Sequence, residues 1–218
     1  MLAALTFREI NVSEAFTLVD AGGGYFRASR KTETQALVYE NLATSPESNA
    51  HITLFCAVLG RQRMIQVTQK AAELGCVTLV PVITQHSVQR GPALEKEKPW
   101  AWRGQSLKGA RQCRRASIMH VAEPTSLRDA LASPEWQAAR VRYFMDDRAE
   151  VARWGDEGGQ PADYALLVGP EGGLSDDERT SLLAAGGTPL RLGGRVLRAE
   201  TAVFSGLTVL QHRLGDMR

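Results

Sequence analysis

From residue 51 onward the chain sets short runs that are apolar at nearly every position between stretches with helical spacing. HITLFCAV (51–58) and VTLVPVI (77–83) do not alternate apolar with polar, so a sheet built from them must be covered on both faces. That is the demand of a parallel sheet held between two helical layers. Between the two runs, QRMIQVTQKAAEL puts Met64, Val67, Ala71 and Leu74 on one stripe and ends at Gly75, which predicts a βαβ unit. The alternation predicts a long polar helix over 97–115, a strand in SIMHVA (117–122), a helix over 125–136, and strands in VRYFM (141–145) and YALLVG (164–169). Ser175 followed by Asp176, Asp177 and Glu178 reads as a capping box, so a helix should begin at 176 and stop at Gly186-Gly187. TPLRL then reads as a strand, LGGRVLRAE as a loop, and TAVFSGLTVLQHRL as a helix with Val203, Leu207, Leu210 and Leu214 on its core face.

Residues 1–48 follow a different pattern. AFTLVD, YFRASR and ALVYENL surround the turn AGGG (21–24) and predict a small antiparallel β module, with TSPESN (44–49) as linker. A chain of 218 residues, 44% apolar, has room for this module (1–48) and one α/β domain (49–218). No apolar stretch approaches the roughly 18 to 20 residues of a membrane span. The start, MLAALTFREINV, meets Arg8 and Glu9 before a signal-peptide core can form, so a cytoplasmic protein is expected. Three dispersed cysteines, Cys56, Cys76 and Cys113, support neither a disulfide framework nor a zinc site; buried reduced thiols and no bound metal are expected.

A net charge of +2 hides an uneven distribution. Residues 85–115 carry Arg90, Lys96, Lys98, Arg103, Lys108, Arg111, Arg114 and Arg115 against Glu95 and Glu97, a candidate anion-binding face. Residues 1–48 have the opposite balance, with Arg8, Arg27, Arg30 and Lys31 against Glu9, Glu14, Asp20, Glu33, Glu40 and Glu47.

Two loops carry the chemistry: GPEGG (169–173), directly after a strand, and LGGRVLRAET (192–201), between a strand and the last helix. Open α/β sheets place ligands beyond the carboxyl ends of their strands, where both loops fall. Glycines there let backbone N–H and C=O groups reach a ligand, and Pro170 restricts the path of the chain. Neither loop is a G-x-x-x-x-G-K-[ST] or G-x-G-x-x-G phosphate cradle, and Glu171 repels phosphate. A cationic or polar ligand with an adenine-like ring fits better, against apolar walls such as Leu167, Leu192, Val196 and Leu197.

LLVGPEGGLSDDE, LGGRVLRAETA, QKAAELG and LVPVITQHSVQR together resemble, in order and over roughly residues 51–218, the signature segments of the 16S ribosomal RNA (uracil-N3) methyltransferase family of the SPOUT superfamily. The resemblance implies an α/β methyltransferase domain with a trefoil knot near its C-terminus, an N-terminal PUA-like β module, a homodimer, S-adenosylmethionine as methyl donor and small-subunit ribosomal RNA as substrate. By position it implies a cofactor pocket of Leu167, Val168, Gly169, Glu171, Gly172 and Gly173 in the first loop, with Met145 from the preceding strand. The second loop would add Leu192, Gly193, Gly194, Arg195, Val196 and Leu197, followed by Thr201. Arg198 or Arg195 would stabilise a developing uracil anion, and Glu171 or Glu200 would accept the N3 proton. Arg90 and the helix residues Arg111, Arg114 and Arg115 would meet RNA. The chain departs from the family pattern at His86, at Gly60-Arg61, at Gly194 and at Ala199, and its β module reads as shortened by a strand or two. The alternatives are a knotted methyltransferase acting on another RNA nucleotide and a non-catalytic RNA-binding or assembly factor.

Overall fold

The computed structural model describes residues 7–150 and 162–217; residues 1–6, where the chain start was read, lie outside them. Three antiparallel strands come first: β1 (Ala15–Val19), β2 (Tyr25–Arg30) and β3 (Ala36–Leu42), in the order β1-β2-β3. A second sheet takes β4 (Ala50–Ala57), β5 (Thr78–Ile83), β6 (His120–Val121), β7 (Thr125–Ser126), β8 (Val141–Met145), β9 (Ala162–Val168) and β10 (Thr188–Leu190). Its order is β10-β8-β9-β4-β5-β6, with β7 also on β5, and every pairing is parallel. The expected α/β class with a parallel sheet and a separate small β sheet is what the chain adopts.

Alternation along β9 sorts its side chains between two cores. Tyr164, Leu166 and Val168 join one cluster with Met64, Val67, Trp102, Val203 and Leu207. Ala165 and Leu167 join the other with Phe55, Trp136 and Leu182. The first face is covered by α1 (Arg61–Glu73), α3 (Trp102–Gln112) and α7 (Ala199–Leu214), and the second by α4 (Leu127–Ala132), α5 (Pro134–Ala138) and α6 (Asp176–Ala184).

The helix predicted over 97–115 is broken. A short α2 (Pro92–Lys96) and a 3-10 turn (Pro99–Ala101) precede α3. Pro99 disfavours helical backbone at the residue before it, and Lys98 takes a left-handed φ of 53° instead. The helix predicted over 125–136 divides at Ser133-Pro134, where the Ser133 hydroxyl caps α5 and Pro134 supplies no N–H. The strand predicted over 117–122 shrinks to His120–Val121. The capping box forms as read, the Ser175 side chain accepting from Glu178 N and Glu178 accepting from Ser175 N.

The β module is fastened to the turn after α3. Arg111 grips Glu14 with two donors (3.0 and 2.7 Å) and lies 3.4 Å from Glu9. The Arg114 carbonyl accepts from Thr17 (2.5 Å) and Arg27 (2.6 Å), and Arg8 donates to the Arg115 and Ala116 carbonyls (2.6 and 3.0 Å). Arg115 is 5% exposed; it binds Glu47 and the carbonyls of Ala72 and Cys76. Arg111 and Arg115, expected to face RNA, are instead occupied by the acidic residues of the β module and its linker, because the two oppositely charged segments neutralise each other. Arg90 and Arg114 are exposed.

Candidate functional site

A cleft of about 340 Å³ opens beyond the carboxyl ends of β8, β9 and β10. The size falls in the range of small-molecule sites. Both glycine loops build its walls. Val168, Gly169, Glu171, Gly172 and Gly173 line it from the first loop, Leu192, Gly193, Arg195, Val196 and Leu197 from the second, and Met145 from β8.

Close approach explains the glycines. A Cβ on Gly169 would sit 3.0 Å from Leu174 Cγ, and one on Gly172 would sit 2.8 Å from His86 Cβ. Gly173 has φ +73°, a conformation that glycine adopts without strain, and its N–H closes the turn onto the Pro170 carbonyl (2.9 Å). Gly193 and Gly194 would meet no protein atom within 4 Å, so at those positions the missing side chains leave room. The loop is braced from the β5 side: His86 Nδ1 lies 3.2 Å from the Gly173 carbonyl, and Gln85 N donates to Glu178 (2.7 Å).

Other expected residues fall outside the cleft. Leu167 is fully buried in the second core, since it points to the opposite face from Val168. Thr201 is exposed on α7, turned away from Ala199 and Ala202, which do line the wall. Gly194 and Arg198 are exposed and not part of the wall. Glu200, in the first turn of α7, is 14% exposed at its side chain and lies 3.8 Å from Arg63 Nε. Arg63, on α1, also pairs with Glu171, so one guanidinium joins both candidate carboxylates. Arg195 and Arg198 have no ion pair among the described residues.

The sequence reading missed Arg63, and it missed an acidic and basic cluster after β8. Asp146, Arg148 and Arg179 line the cleft, and the buried Asp146 carboxylate accepts from Arg179 Nε (2.6 Å) and from Arg148 N (3.0 Å). Burial pushes the Asp146 carboxyl up, but Arg179, the Arg148 amide and both guanidinium charges outweigh it and hold the group below its ordinary range. The signal for this cluster was the run Asp146-Asp147-Arg148 at the carboxyl end of an apolar strand. Among the described residues no group of three or more His, Cys, Asp or Glu is placed to hold a metal ion, and no helix is long and apolar enough to cross a membrane.

An open parallel sheet with a glycine-walled cleft at its carboxyl edge is the layout in which α/β domains place small-molecule sites, and the comparisons place this one in the methyltransferase class. More particularly, the chain belongs to the family described as the RNA methyltransferase domain, whose model matches residues 46–211. It is 30% identical over 210 residues to the ribosomal RNA small subunit methyltransferase E of Aquifex aeolicus, covering 94% of this chain and 88% of that relative. The enzyme of the same name from Neisseria gonorrhoeae, solved bound to S-adenosylmethionine, is 25% identical with a TM-score of 0.76, covering 100% of this chain and 90% of that one. A Legionella pneumophila protein described as a methyltransferase, solved with its bound cofactor SAM, is 31% identical with a TM-score of 0.75, covering 97% and 88%. The resemblance drawn from the glycine loops is borne out at the level of family.

Proposed function

We propose that the protein transfers a methyl group from S-adenosylmethionine (SAM) to N3 of a uridine in small-subunit (16S) ribosomal RNA. The supporting observation is the cleft itself, walled by backbone of both glycine loops, in a chain of this family. The residues present fit SAM: Val168, Leu192 and Leu197 offer an apolar wall to an adenine ring, and the peptide groups of 169–173 offer donors and acceptors. SAM supplies a methyl group on an electron-poor sulfonium sulfur.

Uracil N3 carries its proton at neutral pH and must lose it to become a nucleophile. Arginine accepts no proton at that pH, so Glu171 or Glu200 is the acceptor and Arg195 or Arg198 stabilises negative charge on a neighbouring carbonyl oxygen. A stacked or paired uridine must turn outward to present N3. Arg90 and Arg114 are the members of the expected RNA set left exposed for phosphate contacts.

The same proposal divides the chain into a PUA-like module (1–48) and a methyltransferase domain (49–218), working in the cytoplasm as a homodimer. It includes the trefoil knot. In support, β10 lies at the sheet edge beside β8, while α7, nine residues later, packs on α1, β4 and β9.

The test is methylation of purified small ribosomal subunits with labelled SAM, followed by nucleoside analysis. Label in 3-methyluridine is expected. Label in a different nucleoside would replace the substrate assignment, and SAM binding that calorimetry cannot detect would favour a non-catalytic RNA-binding role.

A further inference from the structure

Trp100 and Trp102, two residues apart, have opposite fates. Trp102 is 1% exposed in the first core, whereas Trp100, in the 3-10 turn ahead of α3, is 68% exposed and is the most exposed aromatic after Phe7 among the described residues. A spacing of two rotates a helical side chain by roughly 200° or more, so one indole in this pair must leave the core. Leu, Ala or a polar residue at position 100 would avoid that exposure, yet the chain presents its largest side chain to solvent.

The surroundings carry both signs, Glu95 and Glu97 standing among the lysines, within a segment (85–115) whose overall balance is positive. Lys96 and Lys98 are exposed and carry no ion pair among the described residues. Arg103, three residues on and therefore on the Trp100 side of the helix, makes one exposed pair with Glu123 at 3.2 Å, a contact of little strength in water. The left-handed Lys98 and the rigid Pro99 set the direction in which the indole emerges. The segment also issues from the rim of the cleft: His86 touches the first glycine loop, Gln85 bonds Glu178 on α6, and the exposed Arg90 follows within four residues of His86.

We propose that Trp100 is a stacking platform for an unpaired base of the substrate RNA, with Arg90, Lys96, Lys98 and Arg103 taking the flanking phosphates. An indole face accepts any base, and the net positive charge of 85–115, which outweighs Glu95 and Glu97, favours a single strand over a neutral protein partner. This rests on the RNA methyltransferase reading above and specifies where on the molecule the RNA strand lies.

The test is anisotropy of a labelled, unstructured RNA titrated with wild type, Trp100→Ala, Trp100→Phe and the double variant Lys96→Ala/Lys98→Ala, over a range of salt. Trp100→Ala is expected to bind roughly tenfold more weakly with an unchanged salt slope, and Trp100→Phe to recover most of the loss. The double lysine variant should lower the slope of log K against log salt by about 1.4. Thermal unfolding of Trp100→Ala should match wild type, separating lost stacking from misfolding. Wild-type affinity in Trp100→Ala, or a wild type that binds a protein partner but no RNA, overturns the platform. If the wild type methylates ribosomal subunits while Trp100→Ala binds RNA unchanged, only the platform fails; if the wild type methylates nothing, the enzyme reading fails.

Discussion

Replacing Arg115 by alanine separates a fold residue from an RNA contact. The guanidinium donates to Glu47 Oε2 twice (2.9 and 2.6 Å), to the Ala72 and Cys76 carbonyls (2.9 and 2.7 Å) and to Ser117 Oγ (3.0 Å). Removing one partner of a buried pair costs about 3–5 kcal/mol, mostly because the other charge is stranded. Here Glu47 keeps the Ala116 and Ser117 amides and the Ser117 hydroxyl (2.8, 3.1 and 2.7 Å), so the lower bound, about 3 kcal/mol, applies. For a chain of this size that is a fall in Tm of roughly 6–12 °C. Burial pushes the Glu47 carboxyl up, but the Arg115 hydrogen bond and charge, with Ser117, bring it below its ordinary value of 4.5. A depressed carboxyl contributes stability that is present above its unfolded value and is lost as pH falls through the folded one. Arg115→Ala should therefore also flatten the acid limb of a urea-midpoint series run downward from pH 5. The salt dependence of RNA binding should not change. A variant with wild-type Tm and a salt slope smaller by about one phosphate would refute the structural assignment and return Arg115 to the RNA face.

Gly172→Ala, whose Cβ would meet His86 Cβ at 2.8 Å, should shift the first loop and lower both stability and SAM affinity, whereas Gly193→Ala, with nothing within 4 Å, should keep wild-type Tm. In calorimetry Gly193→Ala should still weaken SAM by roughly tenfold if the loop backbone bonds the ligand directly; unaltered affinity removes that loop from the site. Arg63→Ala should lower methylation turnover by roughly a hundredfold, with Arg63→Lys partly restoring it; equal rates in all three proteins would make the Arg63 pairs with Glu171 and Glu200 incidental. Burial pushes Cys56 up to about 12 and Cys76 up to about 11, so at pH 8 a thiol reagent should label the native protein slowly at Cys113 at most and label three thiols once urea is added; fast reaction of two in the native state would contradict their burial.

Local rules carried the sequence a long way. β8 was read to the residue, and the start of α6 followed from its capping box, because those signals lie within a few residues of each other. What failed was non-local. The basic excess of 85–115 was read as facing an outside partner and the acidic balance of 1–48 was given no partner, when Arg111 and Arg115 meet Glu14 and Glu47 across 97 and 68 residue positions respectively. Charge patterning along a chain does not say which segments fold against each other. Leu167 failed on the opposite scale: the loop beside it was correctly singled out, but a one-residue step along a strand changes the face, and Val168 took the wall.

The finished cleft has a sign that composition could not reveal. Two of its three acidic groups are matched, Asp146 by Arg179 and Arg148 and Glu171 by Arg63, while Asp147 lines the cleft exposed and without an ion pair among the described residues. Arg195, on the second loop, and the neighbouring Arg198 are left without such partners among the described residues, both exposed, flanking the 79% exposed Val196. A site for a cationic ligand alone would leave its carboxylates free and its arginines tied. This one ties Asp146 and Glu171 to guanidinium groups, leaves Asp147 free and turns unpaired cations outward, which suits a cleft that must hold a cationic donor, admit a polyanion to the mouth and support negative charge where a base loses its proton. On the function proposed above, the glycine loops and the arginines divide the labour: main chain would hold the donor within, and charge would draw the acceptor to it from outside.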